Sequence, residues 1–108
     1  MNRLVFAESA ARDLRDIVAY IALDNPQAAE NVYRRLQECA DRLRQFPELG
    51  RPGRLPQTRE LSVATLPYLI VYEADAETVT VLAVFHTSRD LARAMAERQR
   101  KKPPPTPR

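Results

Sequence analysis

The fold is decided by YLIVYEADAETVTVLAVF, residues 68–85. The first five and the last eight residues of this stretch are rich in β-branched and aromatic side chains, which favour extended strands. The linker Ala74–Glu77 between them has the length of a hairpin loop, and Leu66-Pro67 separates them from an alternating segment around Leu61–Val63. We therefore predict an antiparallel meander of three strands.

Two amphipathic helices are predicted ahead of these strands. The first follows Ser9, a predicted N-cap, and ends near Asp24. Its apolar stripe consists of Leu14, Ile17, Val18 and Ile21. The second begins at Asn25-Pro26 and ends before Pro47, and its stripe consists of Ala29, Val32, Leu36, Cys39, Leu43 and Phe46. Because the link is so short, the two helices should form an antiparallel hairpin.

The ends of the chain complete the predicted order. Arg3–Glu8 favours a short strand, and Ser88 is a predicted cap for a closing helix whose apolar residues are Leu91, Ala94 and Met95. The order β-α-α-β-β-β-α predicts an α+β fold in which a helical hairpin and a C-terminal helix pack on an antiparallel sheet. We expect one domain over residues 1–97 and a basic, proline-rich, disordered tail over residues 98–108.

The composition excludes several classes of protein. With 108 residues, 44% hydrophobic and 29% charged, the chain matches a single soluble globular domain. No apolar run is long enough for a membrane span, and charge near the N-terminus precludes a signal peptide, which predicts a cytoplasmic protein. With one cysteine and one histidine, the chain lacks the cluster of ligands that holds zinc, so we expect no metal and no cofactor.

The positive charge is concentrated at one end of the sequence. Residues 89–108 contain seven Lys or Arg and two acidic residues, whereas residues 1–88 carry a net charge of −2. A mildly acidic body with a basic tail is poorly suited to general nucleic-acid binding, which draws on many phosphate contacts.

Several segments together resemble the RelE/ParE toxin superfamily. They are residues 6–14 with Ile17 and Tyr20-Ile21, residues 46–51, 58–61 and 67–72, and residues 81–86 with 88–90. The resemblance implies the toxin of a type II toxin–antitoxin, or plasmid-stabilisation, system whose partner is a cognate antitoxin. RelE-like members cut messenger RNA in the ribosomal A site, whereas ParE-like members block DNA gyrase. A relative that is not toxic and only binds its antitoxin is a third alternative.

The residues favour the ParE-like branch. RelE-like nucleases resemble one another in having basic residues on the central strands and a tyrosine or histidine near the C-terminus. Here the position after Tyr68 is the apolar Leu69, and the closing helix contains neither tyrosine nor histidine. We therefore expect inhibition of gyrase, with ribosome-dependent mRNA cleavage as the alternative.

The resemblance makes Arg59 and Arg89 the best functional candidates, because they match family positions that face the open side of the sheet. His86 is a third catalytic candidate. In the structural alternative, Arg59 pairs with Glu60 or another acid, Arg89 pairs with Asp90 or a helix end, and His86 bonds a loop. Tyr68 and Tyr72 are expected to pack rather than to react.

Partner binding has its own candidates. Arg51 and Arg54 lie in a loop stiffened by proline and glycine and could present charge to a partner. The apolar stripe of Leu14, Ile17, Val18 and Ile21 is the second, since so small a domain has few elements to cover it. The resemblance implies that the antitoxin covers a groove between the hairpin and the sheet.

Overall fold

The computed structural model describes residues 1–101. Its elements are β1 (Arg3–Phe6), α1 (Glu8–Ala22), α2 (Pro26–Gln45), β2 (Arg51–Pro52), β3 (Arg59–Ser62), β4 (Tyr68–Ala74), β5 (Thr78–His86) and α3 (Leu91–Lys101). The predicted α+β fold is confirmed. The two-residue strand β2 is an addition within the predicted loop.

The five strands form one sheet in the order β1-β5-β4-β3-β2. Strands β2 to β5 pair antiparallel with their neighbours, which confirms the predicted meander. Strand β1 differs because it lies parallel to β5, with Arg3 opposite Thr78 and Phe6 opposite Val81. The sheet is therefore mixed. In the chain, the helical hairpin lies between β1 and its partner β5, so these two strands are not joined by a tight turn.

The turn between β4 and β5 is closed by Asp75. Its carboxylate accepts the backbone N–H groups of Glu77 and Thr78, each at 2.8 Å. These two hydrogen bonds favour the charged carboxylate and lower the pKa of Asp75 from its ordinary value. The turn sets the register in which Ala74 lies opposite Val79.

The sheet is covered on both faces, and each face has its own apolar core. Against α1 and α2 pack Tyr68, Ile70 and Tyr72 from β4, together with Val79, Val81 and Val84 from β5. Against α3 pack Leu69, Val71, Ala83 and Phe85, which contact Ala94 and Met95. Every residue of Tyr68–Tyr72 is buried because successive side chains of this central strand enter opposite cores.

One of the three predicted helix caps is confirmed. The Asn25 side chain accepts the N–H of Ala28 at 3.0 Å and caps α2. The prediction for Ser9 is wrong, because α1 already begins at Glu8 and the Ser9 hydroxyl donates to the carbonyl of Leu82. The prediction for Ser88 is also wrong, since the Asp90 carboxylate accepts the N–H of Arg93 at the start of α3.

The apolar stripes of the hairpin are confirmed except at one end. Leu36 and Leu43 are buried, and Cys39 packs against the same core. Phe46 was expected to continue the stripe but is 52% exposed, because α2 ends at Gln45 and the backbone turns there. No helix within residues 1–101 is both long and apolar enough to cross a bilayer.

The last helix is tied to the first by an ion pair. The Arg98 guanidinium contacts the Asp13 carboxylate at 2.9 and 3.2 Å and donates to the Leu82 carbonyl at 3.2 Å. Asp13 also accepts the N–H of Val84 at 3.0 Å. The two side chains thereby satisfy the stretch of β5 that continues beyond β1.

This contact moves the boundary expected at residue 98. Arg98 belongs to the folded domain, and α3 extends to Lys101 instead of giving way to a tail. The rest of the predicted tail, residues 102–108, lies outside the described residues.

The two cores give a stability prediction. Replacing Leu36 or Val81 by alanine removes buried methyl groups and leaves a cavity, at a cost of about 2–5 and about 1–3 kcal/mol respectively. For a domain of this size the total free energy of unfolding is roughly 5–15 kcal/mol. Urea denaturation monitored by circular dichroism measures both changes.

Leu23→Ala is the matched control, because Leu23 is 82% exposed. We expect this variant to stay within about 0.5 kcal/mol of the parent. A Leu36→Ala variant as stable as the Leu23→Ala control would contradict the packing of α2 on the sheet.

Candidate functional site

An apolar groove lies along the helical hairpin. Its volume is about 490 Å³. It is lined by Phe6, Ala11, Leu14, Arg15, Val18, Ala19, Tyr33 and Gln37. Most of this lining is apolar, and Tyr33 at its edge is 46% exposed. The groove is therefore open to solvent and has the chemistry of a site for an apolar segment.

Most of the predicted partner-binding stripe on α1 packs against the hairpin core, and two of its residues also line the groove. Leu14 and Val18 line the groove, although Leu14 is only 6% exposed. Ile17 is half-buried and packs against the hairpin core, and Ile21 is also half-buried. Two of the four residues of the stripe thus line the groove and two do not. Helical periodicity alone does not distinguish these two kinds of position.

The three catalytic candidates are not brought together. Arg59 lies opposite Tyr72 and His86 lies opposite Tyr68, so both belong to the face that the hairpin covers, at opposite ends of β4. Tyr68 and Tyr72 are four positions apart in β4, which is about 13 Å along the strand direction. Arg89 stacks on Phe85, whose side chain belongs to the α3 face.

Arg59 fixes the backbone of a neighbouring loop. Its guanidinium donates to the carbonyl of Gly50 at 2.7 Å, and not to the carboxylate of Glu60 that the structural alternative named. The register places it on the hairpin face, not the open side that the family position implied.

Arg89 and Arg98 both contact the ring of Phe85. Their guanidinium carbons lie 5.3 and 5.2 Å from the ring centroid, within the range of cation–π attraction. Arg89 itself is exposed, so its charge remains accessible to a partner. Two structural alternatives were predicted for Arg89, an ion pair with Asp90 and a contact with a helix end. Within residues 1–101, the Arg89 side chain makes neither of them.

His86 is held by its neighbours. Its Nδ1 accepts the N–H of Ser88 at 3.0 Å, and its ring meets Tyr68 edge-on with centroids 5.3 Å apart. These contacts agree with a structural use. Across residues 1–101, no group of three or more His, Cys, Asp and Glu side chains is arranged to hold a metal ion.

The loop after α2 is organised by the hydroxyl of Tyr72. This hydroxyl donates to the carbonyl of Pro47 and accepts the N–H of Gly50, both at 2.8 Å. Burial raises the pKa of Tyr72 above its ordinary value, opposed in part by the Gly50 N–H and the charge of Arg59, so the hydroxyl stays protonated. A side chain at position 50 would come within 2.8 Å of both Tyr72 and the Glu60 backbone, which explains the glycine.

Glu60 is the second organiser of this loop. Its side chain is 2% exposed and contacts the guanidinium groups of Arg51 at 3.4 Å and Arg54 at 3.6 Å. Its other oxygen accepts the backbone N–H of Arg54 at 2.8 Å. Both predicted partner-binding arginines are therefore anchored to one buried carboxylate while remaining largely exposed.

Sequence reasoning missed Glu60 and the Tyr72 hydroxyl as organisers of this loop. Glu60 carries a weak signal, since it is an acid inside an alternating strand close to two arginines. The partners of Tyr72 lie 22 and 25 residues away, and no local pattern marks them.

The family described as the ParE toxin of type II toxin–antitoxin systems, parDE, matches residues 4–91. The chain belongs to the ParE toxin family. The family match covers both core-forming strands, the hairpin and the loop after α2, and ends at the first residue of α3.

Two relatives and one solved structure show how the ParE and RelE names mix in this family. Y4kP of Sinorhizobium fredii, named as a candidate toxin, is 42% identical over 85 residues, which are 79% of this chain and 88% of that protein. Toxin RelE2 of Caulobacter vibrioides is 35% identical over 89 residues, 82% of this chain and 99% of that toxin. A chain of the chromosomal ParDE system of P. aeruginosa superposes with a TM-score of 0.73 at 22% identity, covering 80% of this chain and 96% of that one.

These matches make the chain a type II toxin of the ParE/RelE family. The 22% identity of the superposed structure supports the shared fold alone. The family model and the superposed structure carry the ParE name, whereas Toxin RelE2 carries the RelE name.

The Tyr72 hydroxyl gives a prediction for this ParE-family toxin. Tyr72→Phe leaves the buried N–H of Gly50 without its acceptor, so the free energy of unfolding should fall by about 1–3 kcal/mol. Urea denaturation measures the loss, and hydrogen exchange at the Gly50 amide should become faster than in the parent.

Tyr33→Phe is the control, because its hydroxyl meets only the Gln37 side chain at the surface. It should change stability by no more than about 0.5 kcal/mol. Equal stability of the two variants, with Gly50 exchange unchanged, would show that the hydroxyl does not hold the loop.

Proposed function

We propose that this toxin inhibits DNA gyrase by binding it and is neutralised by a cognate antitoxin. The observation that carries the proposal is the separation of Arg59, His86 and Arg89. Cleavage of RNA requires a base, an acid for the leaving oxygen and cations on one phosphate, all within a few ångströms. Residues on opposite faces and at opposite ends of a strand do not meet this requirement. Because both proposed partners are cytoplasmic proteins, we expect the toxin to act in the cytoplasm.

Leu69 adds support from the α3 face. It is 2% exposed and forms part of the apolar floor on which Met95 packs. A basic side chain at that position would be buried beneath α3 without a partner, at a substantial desolvation cost. The position is used for packing, which leaves the central strand without the cation that a nuclease would present there.

Ribosome-dependent mRNA cleavage is the second candidate function. The observation in its favour is the 35% identity to Toxin RelE2 over 99% of that toxin. Arg89 is the residue on which this alternative depends, because it is exposed beside the sheet end and its guanidinium is available to a phosphate.

The antitoxin is proposed to occupy the groove along the hairpin. The groove exposes apolar side chains of β1, α1 and α2 in one strip, which suits the apolar face of a segment that folds on binding. Burial of this apolar strip would offset the conformational entropy that such a segment loses when it folds. No small-molecule cofactor is needed for either step of the proposal.

The choice of target gives a direct prediction. The purified toxin should inhibit DNA supercoiling by purified gyrase, and it should leave messenger RNA intact on translating ribosomes. Arg89→Ala should have no effect on RNA because there is no cleavage to lose. Primer extension across the A-site codon measures cleavage, and gel electrophoresis of plasmid topoisomers measures gyrase activity.

A-site cleavage by the parent that disappears in Arg89→Ala, while Arg12→Ala still cleaves, would overturn the gyrase assignment. Arg12 is a suitable control because it is an exposed arginine whose contact is the surface pair with Glu8. Circular dichroism of both variants establishes that they remain folded.

Antitoxin binding gives a separate prediction. Ala19→Arg places a long charged side chain on an exposed position that lines the groove, so the affinity for the antitoxin should fall by about tenfold or more, equivalent to about 1.4 kcal/mol. The parent complex should show a negative heat-capacity change because apolar surface is buried. Isothermal titration calorimetry at several temperatures measures both quantities.

Ala96→Arg is the matched control, since Ala96 is an exposed alanine of α3 away from the groove. Its affinity should equal that of the parent. If Ala96→Arg weakened binding while Ala19→Arg did not, the antitoxin would lie on the α3 side and the groove proposal would fail.

A further inference from the structure

The segment Phe46–Arg54, here called the 46–54 loop, is held from the inside by three side chains of the sheet. The Tyr72 hydroxyl fixes Pro47 and Gly50, the Arg59 guanidinium fixes the Gly50 carbonyl, and the Glu60 carboxylate fixes the N–H of Arg54. These anchors come from β3 and β4, which belong to the buried sheet. The loop therefore keeps its shape without help from a partner.

The outer surface of the loop carries large side chains. Phe46 is 52% and Leu49 41% exposed, and the N–H of Leu49 donates to the Phe46 carbonyl at 3.1 Å, which brings the two together in one turn. The side chains of Arg51 and Arg54 are 63% and 43% exposed. Aromatic residues and arginine are enriched in protein interfaces, and a loop that is ordered beforehand loses less entropy on binding.

The loop also lies in one of the two basic segments of the described chain. Residues 42–60 contain five arginines and two glutamates, a net charge of +3, and residues 89–101 also carry +3, whereas the rest of residues 1–88 carries −5. This contrast favours a partner whose contact surface is acidic. The charge of the loop is therefore complementary to that of an acidic protein. Such a partner would also need an apolar recess to receive Phe46.

The groove assigned to the antitoxin lies elsewhere. Its residues on α2 are Tyr33 and Gln37, and Gln37 lies about 12 Å along the helix axis from Gln45, where α2 ends. No residue of the 46–54 loop lines the groove. The toxin thus carries two separate surfaces, one apolar and one basic with apolar anchors.

We propose that the 46–54 loop is the surface through which the toxin contacts its cellular target, an acidic protein surface that receives Phe46 and Leu49 and pairs with Arg51 and Arg54. The inference rests on the proposed function in so far as the toxin acts by binding a protein. Glu60 and Tyr72 are positioning residues in this arrangement, since they hold the loop without reaching its outer surface.

A protein fits the loop better than a nucleic acid does. The buried carboxylate of Glu60 already balances part of the charge of the two arginines, and Glu48 is an exposed acid within the loop. Binding to phosphates draws on several unbalanced cations, and a carboxylate among them opposes it. The exposed pair of Phe46 and Leu49 instead provides the apolar anchor typical of protein contacts.

Three probes test this inference: purified gyrase, the purified cognate antitoxin and a 40-base-pair DNA duplex. Phe46→Ala with Leu49→Ala tests the apolar anchor, and Arg51→Gln with Arg54→Gln tests the charge. Tyr20→Ala with Leu23→Ala is the apolar control, because these side chains are 77% and 82% exposed outside the loop. Arg12→Gln with Arg34→Gln is the charge control.

We expect each loop variant to raise the toxin concentration needed for half-inhibition of gyrase by about tenfold or more, as truncation of interface anchors does. Antitoxin affinity should stay within about twofold of the parent, which also establishes that the variants are folded. The two control pairs should inhibit as the parent does. Tyr72→Phe should weaken inhibition while keeping antitoxin binding, because it loosens the loop without changing its outer side chains.

Three results would overturn the inference. Unchanged inhibition by both loop variants would remove the loop from the target contact. Loss of antitoxin affinity with inhibition retained would assign the loop to the antitoxin. Tight, salt-dependent binding to the duplex that Arg51→Gln with Arg54→Gln abolishes would make the loop a nucleic-acid site.

Failure of the gyrase proposal is recognised separately. In that case the parent leaves gyrase active, and growth arrest after induction in a bacterial host becomes the readout for the same variants. Arrest by the control pairs but not by the loop variants would support the loop as the target contact with another protein as target. Arrest by all of them would reject it.

Discussion

The rest of the structure depends on a central strand that is buried on both faces. Tyr68, Ile70 and Tyr72 enter the core beneath the hairpin, while Leu69 and Val71 enter the core beneath α3. Strand β4, with β5 beside it, supplies the apolar surface on which both helical layers pack. The side chains of β4 are removed from water only because both layers cover it. Tyr72 extends this dependence outward, because the buried ring carries a hydroxyl that sets the backbone of the 46–54 loop.

Local patterns account for what could be predicted. Leu36 and Leu43 on α2, and the dense β-forming residues of β4 and β5, have periods that identify their element and their buried face. The Asn25 cap follows from residues next to each other in the chain. Phe46 satisfies the same period as Leu43 yet is exposed, because periodicity does not specify where a helix stops being covered.

Non-local contacts account for what could not be predicted. Ser9 has the hydroxyl that a helix N-cap requires, but this hydroxyl donates to the carbonyl of Leu82, 73 residues away. Arg98 belongs to a basic run that is typical of a tail, yet it pairs with Asp13 at a separation of 85 residues. Non-local pairing also determines the candidate site, since strand register places Arg59 and His86 far apart and Arg89 lies beyond the sheet. A single sequence carries no signal for register between distant segments.

The parallel pairing of β1 with β5 joins segments of the chain that are synthesised far apart in time. Arg3 meets Thr78 and Phe6 meets Val81, so the first strand waits for more than 70 residues before its neighbour exists. The contact of Arg98 with Asp13 comes later still. Closing such long loops is slow compared with forming a local hairpin. A nascent chain that has left the ribosome as far as α2 carries the helices of the hairpin without the sheet beneath them, so an unfinished copy has neither the fixed 46–54 loop nor a formed groove. Under the proposed function, such an unfinished chain presents neither binding surface to a partner.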